Sequence, residues 1–235
     1  MKLRAAVLAS FAMVFILSAA RPVQAQDTKS PYPNMAPIEQ YLIADRNAEI
    51  ELARTAAPKS ISDDASVVVL DRQQGFVTAV KGKNGFVCIV ERAWTSPFDD
   101  PEFWNPKNRS PICYNPAAAR SVLLYTLKRT EFVLAGLTKS QILDRTKAAV
   151  ANKELPEPEP GAMSYMLSKE QYLNDAAVHW HPHLMFHIPK VDGATWGANL
   201  DGSPVLFDPR GSVEPEVLFF VPVGKWSDGT PATLM

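Results

Sequence analysis

The order in which its apolar patterns follow one another constrains this chain most. Residues 66–70, 75–80 and 86–94 are rich in β-branched and aromatic side chains and read as three strands. Two helical patterns come next. Asn115-Pro116 supplies an N-cap and a first helical residue for a helix over 116–135, closed by Gly136. Thr138-Lys139-Ser140-Gln141 is a capping-box pattern opening a second, with Ile142, Leu143, Thr146, Ala149 and Val150 on one face. Strand character returns at 162–167, 178–188, 205–207 and 216–223. Parallel βαβ units would alternate more regularly, so this order predicts an α+β fold, an antiparallel sheet with helices packed on one face.

Two local patterns refine that outline. Ile38, Tyr41, Leu42, Ala48 and Leu52 recur at three and four residue spacing, which predicts an amphipathic helix over 37–57 stopped by Pro58. Between the second and third strands, Lys81-Gly82-Lys83-Asn84-Gly85 reads as a hairpin tip, because Asn-Gly tolerates positive φ at both centres of a tight turn. It lacks the Gly-x-x-x-x-Gly-Lys-Ser/Thr spacing of a phosphate loop.

All four histidines fall within residues 178–188. On a strand, His179, His181, His183, Met185 and His187 would share one face, with Val178, Trp180, Leu184, Phe186 and Ile188 on the other. Imidazoles two apart have Cα atoms about 6.6 Å apart, so His179 with His181, or His181 with His183, can converge on one ion. Three on a regular strand cannot, since positions four apart are separated by about 13 Å. Pro182 marks an edge strand or a bulge that re-aims its neighbours. The candidate metal ligands are therefore His179, His181, His183 and His187, with zinc or copper the expected ion. Asp175, Glu91, Asp99, Asp100 and Glu102 are candidate carboxylate ligands, and Met185 a soft one. The alternative is a half-buried face whose imidazoles are satisfied by backbone or water, and whose mutual repulsion on protonation loosens the fold below about pH 6.

From Thr95 to Tyr114 periodicity is lost and prolines, acids and aromatics accumulate. Such a loop is either a binding loop or a packed Ω-like cover, and Trp94, Asp99, Asp100 and Trp104 are its candidate ligand-binding residues. Ser164 and Ser168 lie near the histidine segment in sequence, but no Gly-x-Ser-x-Gly elbow is present, nor a Gly-x-Gly-x-x-Gly fingerprint.

Compartment is read from the N-terminus. Lys2 and Arg4 precede an apolar run over 5–20, and Val23-Gln24-Ala25 offers small residues at the two positions a signal peptidase reads, so residues 1–25 are expected to be a signal peptide. Residues 26–36, punctuated by Pro31 and Pro33, read as a flexible leader, and 37–235 as a single α+β domain. In an oxidising compartment Cys88 and Cys113 are expected to form a disulfide. With 24 basic and 25 acidic side chains there is no electrostatic footprint for nucleic acid or for an anionic membrane after signal cleavage. Two functions follow: an exported protein binding metal through its histidine strand, or an exported non-catalytic domain binding a small molecule in an aromatic-lined cleft or serving a structural role.

Overall fold

The structure, a computed structural model, describes residues 30–208 and 212–232, and the signal-peptide reading of residues 1–25 lies outside the described residues. Eight strands are present: β1 (Ser66–Asp71), β2 (Gly75–Val80), β3 (Val87–Glu91), β4 (Ser110–Tyr114), β5 (Met163–Met166), β6 (His183–Ile188), β7 (Leu206–Phe207) and β8 (Val217–Pro222). They form one sheet in the order β2-β1-β3-β4-β5-β6-β8-β7. Every neighbouring pair is antiparallel except β1 with β3. The helices are α1 (Arg46–Arg54), α2 (Lys59–Ser62), α3 (Pro116–Arg120), α4 (Leu123–Leu134) and α5 (Lys139–Ala151). The α+β expectation stands.

The helices do not keep to one face. Ala53 of α1, with Ala56 and Ala57 behind it, packs with Val67, Val69, Cys88, Val90 and Cys113. Ala118 of α3 and Leu123 and Tyr125 of α4 pack with Ile89, Ile112, Tyr114 and Met185, whose side chains alternate with the first set and so point to the opposite side. The reason lies in the central strands. Val-Val-Val-Leu in β1, Val-Cys-Ile-Val in β3 and Ile-Cys-Tyr in β4 are apolar on both faces, and each face needs a cover.

Three expected elements differ in detail. The 37–57 helix is a 3-10 turn (Ile38–Gln40) followed by α1, because the Asp45 side chain accepts from the Asn47 amide at 2.8 Å and starts a new helix there. The 116–135 helix is divided into α3 and α4 around Ser121, whose φ is −119° and whose hydroxyl donates to Ala117 O. The 81–85 stretch is not a hairpin tip, since β2 and β3 lie on opposite sides of β1. It passes over the start of β1, where Lys83 N donates to Asp64 O, and Gly82 permits the crossing: a Cβ there would stand 2.2 Å from Ser66 N. The hairpin is β1–β2, whose turn is held by Asp71 Oδ1 accepting from the amides of Gln73 and Gln74.

The long loop expected over 95–114 ends earlier, because its last five residues are β4. Pro111 hid that strand in the sequence. It pairs with Val90 of β3, while the contact of β4 with β5 involves only Cys113 and Tyr114, so the ladder does not ask Pro111 for an amide on that side. The leader expected to be mobile carries contacts over its described part: Tyr32 Oη donates to Asp175 Oδ2 at 2.6 Å, and Met35 and Ala36 pack beside Tyr41 and Trp94.

Cys88 and Cys113 are direct cross-strand partners and form a disulfide over a separation of 25 residues. It ties β4, and the loop before it, to the centre of the sheet. Both residues are fully buried. The double substitution Cys88→Ala, Cys113→Ala is expected to cost about 3–4 kcal/mol from loop closure alone. Urea denaturation of oxidised wild type against the variant measures this, and a loss under about 1 kcal/mol would mean that the bridge adds little to the packing around it.

Candidate functional site

A cavity of about 650 Å³ lies on the sheet face that looks toward α4. Strand alternation decides its floor. Register pairing sets Tyr114 of β4 beside Ser164 of β5, Ser164 beside Met185 of β6, and Met185 beside Phe220 of β8. Glu91, Ile112, Tyr114, Met166, His183, Met185, His187, Glu216, Leu218 and Phe220 therefore share this face, and all line the cavity. Its other walls come from residues 95–100, from Tyr125, Thr126 and Arg129 of α4, from Leu143 and Lys147 of α5, and from Leu173, Asn174 and Trp180.

Of the four histidines, two reach this chamber. β6 begins only at His183, and His179 and His181 precede it. Val178 holds φ +57°, a left-handed conformation a β-branched residue rarely adopts, and residues 179–182 after it lie outside any strand. The single histidine face expected over 178–188 is therefore limited to His183, Met185 and His187. Trp180, expected on the opposite side, turns onto the cavity face with its ring 4.6 Å from that of His183 and 6.1 Å from that of Phe220. His183 and His187 are four apart on a regular strand, too far to share an ion. Among the described residues no group of three or more His, Cys, Asp or Glu side chains is placed to hold a metal ion.

The polar groups of the chamber fall into three networks. Glu91 accepts from Tyr114 Oη at 2.6 Å, from Thr126 Oγ1 and from Thr95 Oγ1, all hydroxyls. Burial, then the Glu91 charge, holds the Tyr114 phenol well above its usual pKa, so it stays a donor. Arg129 makes a bidentate pair with Glu214, Nε to Oε1 at 2.7 Å and Nη2 to Oε2 at 2.9 Å, and spends Nη1 on the carbonyls of Trp94 and Ser96. Its guanidinium also stacks 4.2 Å from the centre of the Phe98 ring. Burial alone would raise the Glu214 carboxyl, yet Arg129 and the Ser212 hydroxyl hold it below the usual range.

The third network is Ser164–His187–Glu216. Ser164 Oγ lies 2.9 Å from His187 Nε2, and His187 Nδ1 lies 2.9 Å from Glu216 Oε2. The distances match those of a nucleophile, base and orienting carboxylate. The setting does not. Ser164 is fully buried within β5, between two paired strands, and is not part of the cavity wall, so an acyl group has no room to form on it. The three side chains join β5, β6 and the start of β8 across the sheet.

The proposed binding loop contributes in part. Asp99 and Asp100 line the cavity, as does their neighbour Phe98. Trp94 and Trp104 belong to the core: both are buried, Trp94 Nε1 donates to Thr130 Oγ1 at 3.0 Å, and Trp104 O accepts from Tyr41 Oη. An indole whose N–H finds a partner inside the fold is a packing residue. Asp175 sits at the surface, ringed by Lys107, Tyr32 and Tyr172. Sequence reading missed Arg129, Glu214 and Glu216. A signal existed, since Thr126, Arg129, Thr130 and Val133 form the inward stripe of α4, and a helix that points an arginine inward needs a buried acid to meet it.

No protein-family model, curated protein or solved structure matches this chain.

Two expected outcomes follow from the site. Burial pushes the His183 imidazole down to about 4. In the unfolded chain it titrates near 6.5, so between these values the unfolded state binds a proton that the folded state does not. The contribution is complete above about pH 6.5 and is lost as pH falls toward 4; wild type should lose about 2–3 kcal/mol from this group between pH 7 and pH 4.5. His183→Gln should flatten urea midpoints across that interval, and an unchanged slope would discard the account. The cause is desolvation at one residue, not repulsion along a row of four. Separately, Arg129→Met should cost about 3–5 kcal/mol by leaving Glu214 buried without its cation, and adding Glu214→Leu should recover much of that loss. Equal losses in the single and double variants would refute it.

Proposed function

We propose that this is an exported, non-catalytic protein that binds a small organic molecule in the cavity between the sheet and α4. One observation carries the reading: a chamber of about 650 Å³ whose exposed wall surface is mainly apolar, with acidic, hydroxyl and imidazole side chains set into it. Ligand sites have this size and composition, whereas packed interiors seldom leave voids larger than a water. Trp180, Phe220, Met166 and Met185 supply contact surface, and Glu91, Glu216 and His183 supply direction. Export is supported by the charged, apolar and small-residue order of the N-terminus and by the Cys88–Cys113 disulfide. Among the described residues no helix is long and apolar enough to cross a membrane. The metal-binding alternative has less behind it, because only His183 and His187 of the segment line the chamber and they are too far apart to act as a pair.

The test uses Nile red, a neutral apolar dye whose emission rises on leaving water. Saturable enhancement at one site per chain is expected, together with its loss in Leu218→Trp, which fills the cavity from the floor. Circular dichroism and melting confirm that the variant is folded. Absence of saturable binding to folded wild type, or binding undiminished in the variant, would refute the reading.

A further inference from the structure

The polar atoms on the cavity wall are unequally committed. Most of the strong donors are used up: Tyr114 and Thr126 give their hydroxyl protons to Glu91, Tyr125 gives its own to Pro156 O, and Arg129 is divided between Glu214 and two backbone carbonyls. The acceptors are not. His183 is 2 % exposed, and its Nδ1 lies 2.7 Å from His181 O, which fixes the proton there and leaves Nε2 with its lone pair. No donor among the described residues meets that Nε2, and the ring is part of the cavity wall. With its pKa down at about 4, the imidazole stays neutral and accepting at ordinary pH. Glu216 meets His187 through Oε2, and among the described residues nothing donates to Oε1.

Charge points the same way. Glu91 has hydroxyls around it and no cation paired to it among the described residues, and Glu216 has only an imidazole. Of the cationic side chains on the wall, Arg129 is neutralised by Glu214, and Lys147 is exposed on α5. Burial, then the charges of Glu216 and Glu214, drives the Tyr125 phenol upward, as expected of a group in a negative field. Trp180 stands over this region with its ring against His183 and Phe220, and an indole face is the best aromatic partner for a cation.

We propose that the ligand of this cavity is an organic ammonium with an apolar body: its ammonium donates to His183 Nε2 beside the face of Trp180, in the field of the wall carboxylates Glu91 and Glu216, and its body lies against Phe220 and Met185. The proposal rests on the reading of the cavity as a ligand site and adds the ligand's charge and donor content. Once a ligand displaces water from His183 Nε2, that acceptor is costly unless the ligand brings a donor, and an ammonium brings both the donor and the positive charge. A carboxylate ligand would meet the unpaired charges of Glu91 and Glu216, with Arg129 already committed to Glu214. A neutral apolar ligand would leave His183 Nε2 unsatisfied.

Three ligands of one shape and different charge decide the matter: 4-phenylbutylamine, 4-phenylbutanol and 4-phenylbutyrate, each titrated at pH 7.5 into the exported chain as competitors of Nile red. The amine is expected to bind about tenfold or more tighter than the alcohol, and the carboxylate weakest. Glu216→Gln, with its melting checked, is expected to weaken the amine about fivefold or more and leave the alcohol unchanged. If Nile red binds and the amine displaces it no better than the alcohol or the carboxylate, the inference fails and the cavity reading stands. If Nile red does not bind folded wild type either, both fail. Should Glu216→Gln prove unstable, the ranking on wild type decides alone.

Discussion

Glu91, the last residue of β3, and Arg92, the residue after it, carry opposite charges to opposite sides of the sheet, and much of the molecule is arranged around that alternation. Arg92 is fully buried on the α1 side, where Nη2 meets Glu49 Oε1 at 2.8 Å, Nε donates to Tyr41 O and Nη1 to Val90 O. Glu49 in turn accepts from Leu70 N. One guanidinium thus joins α1, the chain before it, and the ends of β1 and β3. A charge removed from water in this way is tolerated because each of its three nitrogens meets an acceptor and a carboxylate faces it. Glu91, one residue earlier, therefore faces the other way, into the cavity.

Both faces of the sheet being apolar at its centre has a further consequence. α1 covers one and α3 to α5 the other, but the second cover is shared with residues 95–100 and with Leu173, Asn174 and Trp180, and a separation is left between part of it and the sheet. The cavity occupies that separation. Its position is set by irregular chain on a regular floor, an arrangement common where binding residues sit on loops held by a rigid scaffold. The disulfide beneath the floor, on the α1 side of the sheet, and the contacts of Tyr32 and Lys107 with Asp175 hold the loop ends.

The floor is also where polar groups concentrate. Glu91, His183, His187 and Glu216 come from three strands, β3, β6 and β8, or from the residue just before the last of these, and Ser164 from a fourth. Arg129 reaches down from α4 to Glu214 and closes one end. The unfilled hydrogen-bonding capacity lies at His183 Nε2, and at Glu216 Oε1 beside His187.

Local physics made a good part of this legible from the chain alone. The strands over 66–80, the capping box at Thr138 and Gln141, the Asn115-Pro116 helix start and the pairing of Cys88 with Cys113 depend on neighbours in sequence or on one favourable separation, and each is found in the structure. The clustering of histidines was visible too, and so was the alternation that sets His183 and His187 on one side. What tertiary structure decided was everything that needs a partner from far along the chain. Trp94 and Trp104 became core because Thr130 and Tyr41 meet them. Pro111 lies in a strand because β3 is beside it, and His179 and His181 lie outside the strand, which begins only at His183. Glu214 and Glu216 matter because α4 brings an arginine and β6 a histidine to them. Pattern in a sequence reports which way a side chain points from its own backbone, and only packing determines what it then meets.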